Sequence, residues 1–169
     1  MMNSHLNSID YTNLVDDILE HKEFLRLADI THHGSNRYDH SVRVSYWSYK
    51  VGRFLKLDYQ KIARAALLHD FFFEDNGNLS YKQKTINLVK HPEYALENAK
   101  KHFELSKIEE DIILTHMFPF SFKLPKYFES WMVNIIDDVI AVYEKTYVVR
   151  KQLSAAVSFM MIFLLNYIR

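Results

Sequence analysis

Cysteine is absent from this chain of 169 residues. Its absence excludes a disulfide framework, a thiolate zinc site and a thiol nucleophile. Any metal ion would therefore have to be held by histidine and carboxylate side chains. The lack of cysteine is typical of a cytoplasmic protein. We expect that location, because the N-terminus does not show the basic segment and apolar stretch of a signal peptide.

Glycine and proline are both scarce. The chain has 3 of each, whereas average usage would give roughly 12 glycines and 8 prolines. Because β-sandwiches and β-barrels need frequent turn residues, this scarcity argues against them and predicts long helices. We expect an all-α fold in which residues 1–169 form a single compact domain of about six to seven helices.

Net charge and long hydrophobic runs are missing as well. Lysine and arginine together number 21, and aspartate and glutamate also number 21, so no net attraction draws the protein to nucleic-acid polymers or anionic membranes. The longest apolar stretch, 153–165, is shorter than the about 20 residues that span a bilayer. We expect no membrane span, and a terminal helix that is buried or faces a second copy of the chain in a homo-oligomer.

Hydrophobic periodicity and helix breakers predict the positions of the elements. His91-Pro92 is expected to open its helix, with proline at the tolerated first position, and Ser106 and Glu109 have the spacing of a capping box. Polar or Pro-containing breaks predict loops at 31–38, 71–80 and 118–125. Apolar residues three and four positions apart predict helices at 9–30, 40–54, 59–70, 91–103, 108–116, 127–145 and 150–168.

Several ionisable residues fall where apolar ones are expected, on the inner faces of predicted helices or at helix ends that enter the core. A lone buried histidine is usually a hydrogen-bonded core residue, and a buried carboxylate is costly unless it is paired or binds a metal. Five helices that each supply one such position also match a di-metal site in a bundle, and the pattern alone leaves both explanations open. The positions are His40, His69-Asp70, His91, His116 and one of Asp137 and Asp138.

These residues occur in the order Arg37-x-x-His40, Ala65-x-x-Leu68-His69-Asp70, His91-Pro92, His116 and a later aspartate. The order resembles the HD-domain superfamily of metal-dependent phosphohydrolases, and its second half is similar to the extra histidine pair of the binuclear subset. The resemblance implies an HD-type helical domain with a motif core at 31–145 and terminal helices packed on it. It also implies hydrolysis of a small phosphorylated molecule, a phosphomonoester or phosphodiester similar to a nucleotide.

The resemblance further implies two divalent transition-metal ions per chain. Imidazole and carboxylate ligands suit iron, manganese, cobalt, nickel or zinc. Asp70 would bridge the two ions as a catalytic residue, and a water activated between them would be the nucleophile. One ion would be held by His40, His69, Asp70 and Asp137, and the other by Asp70, His91 and His116.

The order of residues determines the last metal ligand and two expected substrate contacts less directly. Periodicity leaves both Asp137 and Asp138 open, and Asp137 is chosen because Asp-x-x-x-Ala resembles the family's final segment. Arg37 is expected to bind a phosphate oxygen pair with its planar guanidinium, and a solvated loop arginine without a role is the alternative. His33, like its neighbour His32, is expected to contact the substrate or protonate the leaving group, and an exposed loop histidine without a role is the equal alternative.

One departure from the family pattern bears on the substrate. Many HD hydrolases have a small residue and a lysine after the His-Asp pair, whereas residues 71–75 here are Phe-Phe-Phe-Glu-Asp. The missing cation disfavours a highly anionic substrate such as a nucleoside triphosphate. Two alternative functions stay open. The same ligand order supports di-iron oxygenases in that superfamily, and the lost lysine would suit a non-catalytic HD-like metal-binding protein.

Overall fold

A computed structural model describes residues 9–32, 35–73 and 81–167 of the chain. The expected all-α class is confirmed, because α-helices dominate the regular structure of the described residues, with two strands of two residues each. In chain order the elements are α1 (Ile9–Leu19), α2 (Lys22–Leu25), a 3-10 helix (Arg26–Asp29), β1 (Thr31–His32), β2 (Ser35–Asn36), α3 (Arg37–Phe54), α4 (Tyr59–Leu68), α5 (Tyr81–His102), α6 (Lys107–Thr115) and α7 (Phe128–Tyr167).

The first predicted helix, 9–30, is wrong as a single element. His21 adopts an extended backbone with φ −69° and ψ 128°, so the chain turns after α1 and continues as α2 and the 3-10 helix. The turn falls in the polar run 20–23, which has no apolar residue to hold a continuous helix against the core. Part of the predicted loop 31–38 forms a small hairpin, in which Thr31 pairs with Asn36.

Helices α3 and α4 pack closely and form the centre of the domain. The Asn36 side chain begins α3 by accepting a hydrogen bond from the Asp39 backbone N–H at 2.7 Å, and Asp58 caps α4 in the same way through the Lys61 N–H. Gly52 permits the close approach of the two helices. A Cβ atom at position 52 would lie 2.9 Å from Ile62 Cδ1, closer than Cβ atoms come to their neighbours.

The prediction that His91-Pro92 opens a helix is wrong. Pro92 lies inside α5, which begins at Tyr81. Proline removes one hydrogen bond from the helix, and the fully buried Ala95 and Ala99 on the next turns hold α5 against the core. Packing therefore outweighs the local preference of proline for a helix start. The capping box of α6 is confirmed, because the Ser106 N–H donates to Glu109 Oε2 at 2.7 Å and the Glu109 N–H donates back to Ser106 Oγ.

The two predicted terminal helices, 127–145 and 150–168, form the single 40-residue helix α7. No glycine or proline follows Pro125, so the sequence contains no residue that would break the helix between its halves. The first half packs on α3 and α6 and buries Val133 and Ile140. Within the described ranges, no helix combines the length and the apolar character needed to cross a bilayer.

A buried hydrogen-bond relay ties α1 to the central helix pair. The Tyr11 hydroxyl, which is fully buried, donates to Ser45 Oγ at 2.9 Å, and Ser45 Oγ donates to the Ala63 carbonyl at 2.6 Å. Burial raises the pKa of Tyr11 well above its usual value, so the phenol stays a neutral donor. The relay satisfies polar atoms that would otherwise be buried without partners.

We predict that Ser45→Ala destabilises the protein by about 1–3 kcal/mol, because it leaves the buried Tyr11 hydroxyl without its partner. Urea unfolding measures this change. Tyr11→Phe in the Ser45→Ala background should recover part of the loss, since it removes the stranded hydroxyl. If Tyr11→Phe destabilises both backgrounds equally, the two side chains are not coupled.

Candidate metal centre

Five helices bring the sequence-predicted ligand residues together in the interior. His69 and Asp70 follow the last residue of α4, and His116 follows the last residue of α6, so two helix ends point ionisable groups inward. The remaining three positions lie within helices α3, α5 and α7. All six residues are at most 9% exposed: His40, His69, Asp70, His91, His116 and Asp137.

The first cluster joins α3, α4 and α7. His40 Nε2 lies 2.9 Å from Asp137 Oδ1, and His69 Nε2 lies 3.5 Å from the same oxygen. One donor atom of each residue falls within 4.8 Å of the others, which makes His40, His69 and Asp137 a group that could hold a metal ion. Two imidazoles and one carboxylate are a common ligand set for transition metals.

The second cluster joins α5 and α6 to the end of α4. Asp70 Oδ1 lies 3.2 Å from His91 Nε2 and 3.6 Å from His116 Nε2, while the two histidine nitrogens are 2.8 Å apart. His69 also belongs with Asp70 and His116 in a group that could hold a metal. Since His69 Nε2 is 3.8 Å from Asp70 Oδ2, the two clusters are contiguous.

Backbone hydrogen bonds orient two of the imidazole rings. His69 Nδ1 donates to the Ala66 carbonyl at 2.7 Å, and His116 Nδ1 donates to the Ile113 carbonyl at 2.8 Å. Because Nδ1 donates to a backbone carbonyl, Nε2 of each ring faces the cluster. His69 Nε2 is buried and makes no hydrogen bond to any residue that the structure describes, which is the environment expected of a metal ligand.

The charges in the interior are unevenly distributed between the clusters. Against the cost of burial, contacts with His69 and His40 hold the pKa of Asp137 well below its usual range. Asp137 and Glu144 outweigh the effect of burial on His40 and raise its pKa to about 10. Burial and the neighbouring His91 lower the pKa of His116 to about 3, so this imidazole stays neutral. The first cluster thus pairs opposite charges, whereas the second contains the uncharged imidazole of His116.

Glu144 also contacts the first cluster, through His40, and the sequence patterns did not predict this. Its Oε2 accepts a hydrogen bond from His40 Nδ1 at 3.0 Å, and its Oε1 accepts one from Arg43. Glu144 is 5% exposed, and a carboxylate behind an imidazole fixes the orientation of the ring toward a metal. The available signal was its position two helical turns after Asp137, on the same face of α7.

The structure distinguishes the two neighbouring aspartates of α7. Asp137 faces His40 and His69, whereas Asp138 lies on the exposed side of the helix. The pKa of Asp138 is raised by partial burial and by the adjacent Asp137 charge. The geometry therefore places Asp137 with the other predicted ligands, and Asp138 outside the cluster.

Arg37 and the phenylalanine run meet at the edge of the second cluster. The Arg37 guanidinium lies 3.8 Å from the centre of the Phe72 ring and donates to the Phe72 carbonyl at 2.7 Å. Phe72 also stacks on His91, with ring centres 4.9 Å apart. Arg37 is only 3% exposed, so it also supports the fold. His33 lies outside the described residues, and its predicted role stays a prediction.

Comparison with known proteins agrees with this geometry. The family described as HD domain matches residues 37–144, which is well over half of the chain and includes the six predicted ligands. The chain belongs to the HD domain family. This family lies within a superfamily of metal-dependent hydrolases, and the buried His and Asp groups of this HD domain could hold metal ions. No curated protein and no solved structure gave a significant match.

We predict that Glu144→Ala weakens the binding of Mn²⁺ by about 10- to 100-fold, because His40 loses the carboxylate that orients it. Isothermal titration of the purified protein measures the affinity. Glu144→Gln keeps an oxygen that can accept the hydrogen bond from His40 Nδ1, so it should lose less affinity for Mn²⁺ than Glu144→Ala. Asp138→Ala, on the exposed side of the same helix, is the matched control. Equal affinities for Glu144→Ala and the wild type would contradict the assigned contact.

Proposed function

We propose that this HD domain is a binuclear metal-dependent phosphohydrolase that cleaves a small phosphate ester. The supporting observation is the contiguity of the two buried clusters at the His69-Asp70 pair. His69 lies in both candidate metal groups, and Asp70 contacts both histidines of the second cluster. In the proposal, the first ion is held by His40, His69, Asp70 and Asp137, and the second by Asp70, His91 and His116.

The donor set fits divalent transition metals. Imidazole nitrogens and carboxylate oxygens suit iron, manganese, cobalt, nickel and zinc. A metal ion would also be a partner for the buried Nε2 of His69, which has no hydrogen-bond partner among the residues that the structure describes. Metal ions bound there would supply a water activated near neutral pH and would neutralise charge that develops on a phosphoryl oxygen. The protein itself holds four imidazoles and two carboxylates in a fixed arrangement, which removes the cost of reorganising them during the reaction.

The protein residues around the clusters have three tasks in this proposal. Glu144 and the backbone carbonyls of Ala66 and Ile113 fix the histidine rings. Phe72, which is 4% exposed and stacks on His91, excludes water from the side of the site next to α5, which strengthens the electrostatic contacts inside. Arg37 is proposed to bind a phosphate oxygen of the substrate from beside Phe72.

The proposed substrate carries few charges. Many HD hydrolases have a lysine shortly after the His-Asp pair, whereas this chain has three phenylalanines there, and Phe72 contacts both Arg37 and His91. A monoester or diester therefore fits better than a triphosphate. Phe120 and Phe122, on the segment that follows His116, are 66% and 89% exposed. Because exposed aromatic rings stack on flat apolar groups, they favour a substrate with a nucleobase or a similar ring.

We predict that Asp70→Asn and Asp137→Asn each lower phosphoesterase activity by at least about 100-fold, since a lost ligand removes several kcal/mol of charge stabilisation. The assay uses nitrophenyl phosphate esters and nucleoside monophosphates with Mn²⁺, Fe²⁺, Co²⁺ or Ni²⁺. Asp138→Asn is the matched control and should keep full activity. Metal analysis of the same preparations should give about two ions per chain for the wild type.

Three results would contradict the proposal. A wild-type protein that neither retains nor takes up a metal would exclude metal-dependent hydrolysis. One ion per chain would restrict the ligands to one cluster. Metal binding without phosphoesterase activity, but with oxygen consumption by the iron-loaded protein, would favour an oxygenase of the same superfamily.

A separate prediction concerns Arg37, which has both a structural contact and a proposed substrate contact. We expect Arg37→Gln to raise KM by about tenfold or more, because a charged hydrogen bond to phosphate is lost. We also expect a loss of about 1 kcal/mol in stability from the missing stack on Phe72. Steady-state kinetics and thermal unfolding measure the two effects. A lower stability with an unchanged KM would show that Arg37 acts only through Phe72.

A further inference from the structure

Helix α7 has two apolar faces, and among the described residues only one of them packs inside the domain. The inner face contains Val133 and Ile140, at most 7% exposed, together with the buried Asp137 and Glu144. The opposite face has a row of large apolar side chains that are 37–64% exposed, which we call the outer stripe. Its members are Trp131, Ile135, Val139, Val142, Val149 and Leu153.

The spacing of the outer stripe is that of a surface that packs on another helix. Its members follow one another at intervals of three, four or seven residues, which keeps them on one side of the helix. From Trp131 to Leu153 the stripe is about 33 Å long at 1.5 Å per residue. A soluble protein rarely leaves so long an apolar surface uncovered unless it binds a partner.

The stripe is symmetric about Val142 except at Val139, whose counterpart three residues after Val142 is Lys145. Ile135 and Val149 lie seven residues before and after it, and Trp131 and Leu153 lie eleven residues before and after it. A two-fold rotation about an axis near Val142 therefore places apolar residues of one copy opposite apolar residues of the other. Such self-complementarity is what a two-fold interface between identical subunits requires.

The exposed charges beside the stripe decide the direction of the partner helix. Asp138 lies in the first half of the stripe, whereas Lys145 and Arg150 lie in the second half, and all three are exposed. A parallel pair of α7 helices would bring Asp138 next to Asp138 and Lys145 next to Lys145. An antiparallel pair instead brings the acidic half of each helix against the basic half of the other, which favours association and fixes orientation.

We propose that the outer stripe of α7 is the interface of an antiparallel homodimer centred on Val142. Two helices that cross there bury both stripes against each other, and Asp138 of each copy faces Lys145 of the other. The inner face keeps its contacts with the domain, so the dimer needs no rearrangement of the candidate metal centre. This assembly is independent of the proposed catalytic activity.

Analytical ultracentrifugation of the full chain over a range of concentrations tests the association. The wild type should sediment as a dimer at micromolar concentration. Ile135→Lys should weaken the dimer by about tenfold or more, because it places an ammonium in the apolar interface. Ile9→Lys is the matched control, since Ile9 is 76% exposed at the start of α1, and it should leave the dimer intact. Circular dichroism verifies that both variants remain folded.

Crosslinking tests the orientation, and the absence of native cysteine makes single introduced cysteines unambiguous. With a short bismaleimide, Val142→Cys should crosslink into dimers, because the two copies meet at this position. Leu153→Cys should not, because in an antiparallel pair the two residues are about 33 Å apart. The double variant Asp138→Lys/Lys145→Asp should dimerise like the wild type, whereas Asp138→Lys alone should dimerise more weakly.

Several outcomes would overturn the proposal. A monomeric wild type would exclude the dimer, and cosedimentation of that monomer with phosphatidylcholine vesicles would show that the stripe binds a lipid surface instead. Equal weakening by Ile135→Lys and Ile9→Lys would place the interface elsewhere. Crosslinking of Leu153→Cys as efficiently as Val142→Cys would show a parallel pair.

Discussion

The structure depends on the burial of the six candidate ligand residues, together with Arg37 and Glu144, in a largely apolar helical core. Isolated charges are very costly in such an environment, so each must be paired, neutral or bound to a cation. The first cluster meets this requirement with opposite charges, since Asp137 lies against His40 and His69. The second meets it with neutral imidazole, since His116 is held in its uncharged form. Metal ions would satisfy both clusters at once, which connects the fold to its proposed chemistry.

This requirement also explains where the ligands lie on the helices. A residue just after a helix can turn its ring back toward the carbonyls of the last turn, which have no partner within the helix. His69 and His116 both do so, through the carbonyls of Ala66 and Ile113. The same hydrogen bond that satisfies a helix end therefore orients a ligand. His40 has no helix end to use, and it depends on the carboxylate of Glu144 instead.

The helical class and the convergence of the candidate ligand residues could be predicted because they follow from local patterns. Few turn residues favour helices, and a histidine or aspartate on an apolar face is visible in the sequence. The errors arise where tertiary packing decides. Pro92 is tolerated inside α5 because Ala95 and Ala99 are held in the core. Glu144 was missed because a glutamate in a helix is usually a surface residue, and only its pairing with His40 and Arg43 shows that it is buried.

The stack of Arg37, Phe72 and His91 was equally invisible, since it joins residues from three segments through ring geometry. Periodicity also could not separate Asp137 from Asp138. Their neighbours in sequence are similarly apolar, and only the packing of α7 on α3 turns one inward. The division of 127–168 into two helices was wrong for a different reason. The stretch 145–150 mixes polar residues with Tyr147, Val148 and Val149, and it contains no glycine or proline that would end a helix.

The hydrogen bonds from His69 and His116 to the preceding turn have a consequence for how the chain tolerates insertions. A single residue added to α4 or α6 would rotate everything after it by about 100°, turning the ring away from the site and removing the carbonyl that it caps. The segment 103–106, which joins α5 to α6, is under no such restriction, because α6 starts from its own capping box. Length variation among related sequences should therefore collect in connecting segments such as this one and be absent from the two helices that end in a ligand.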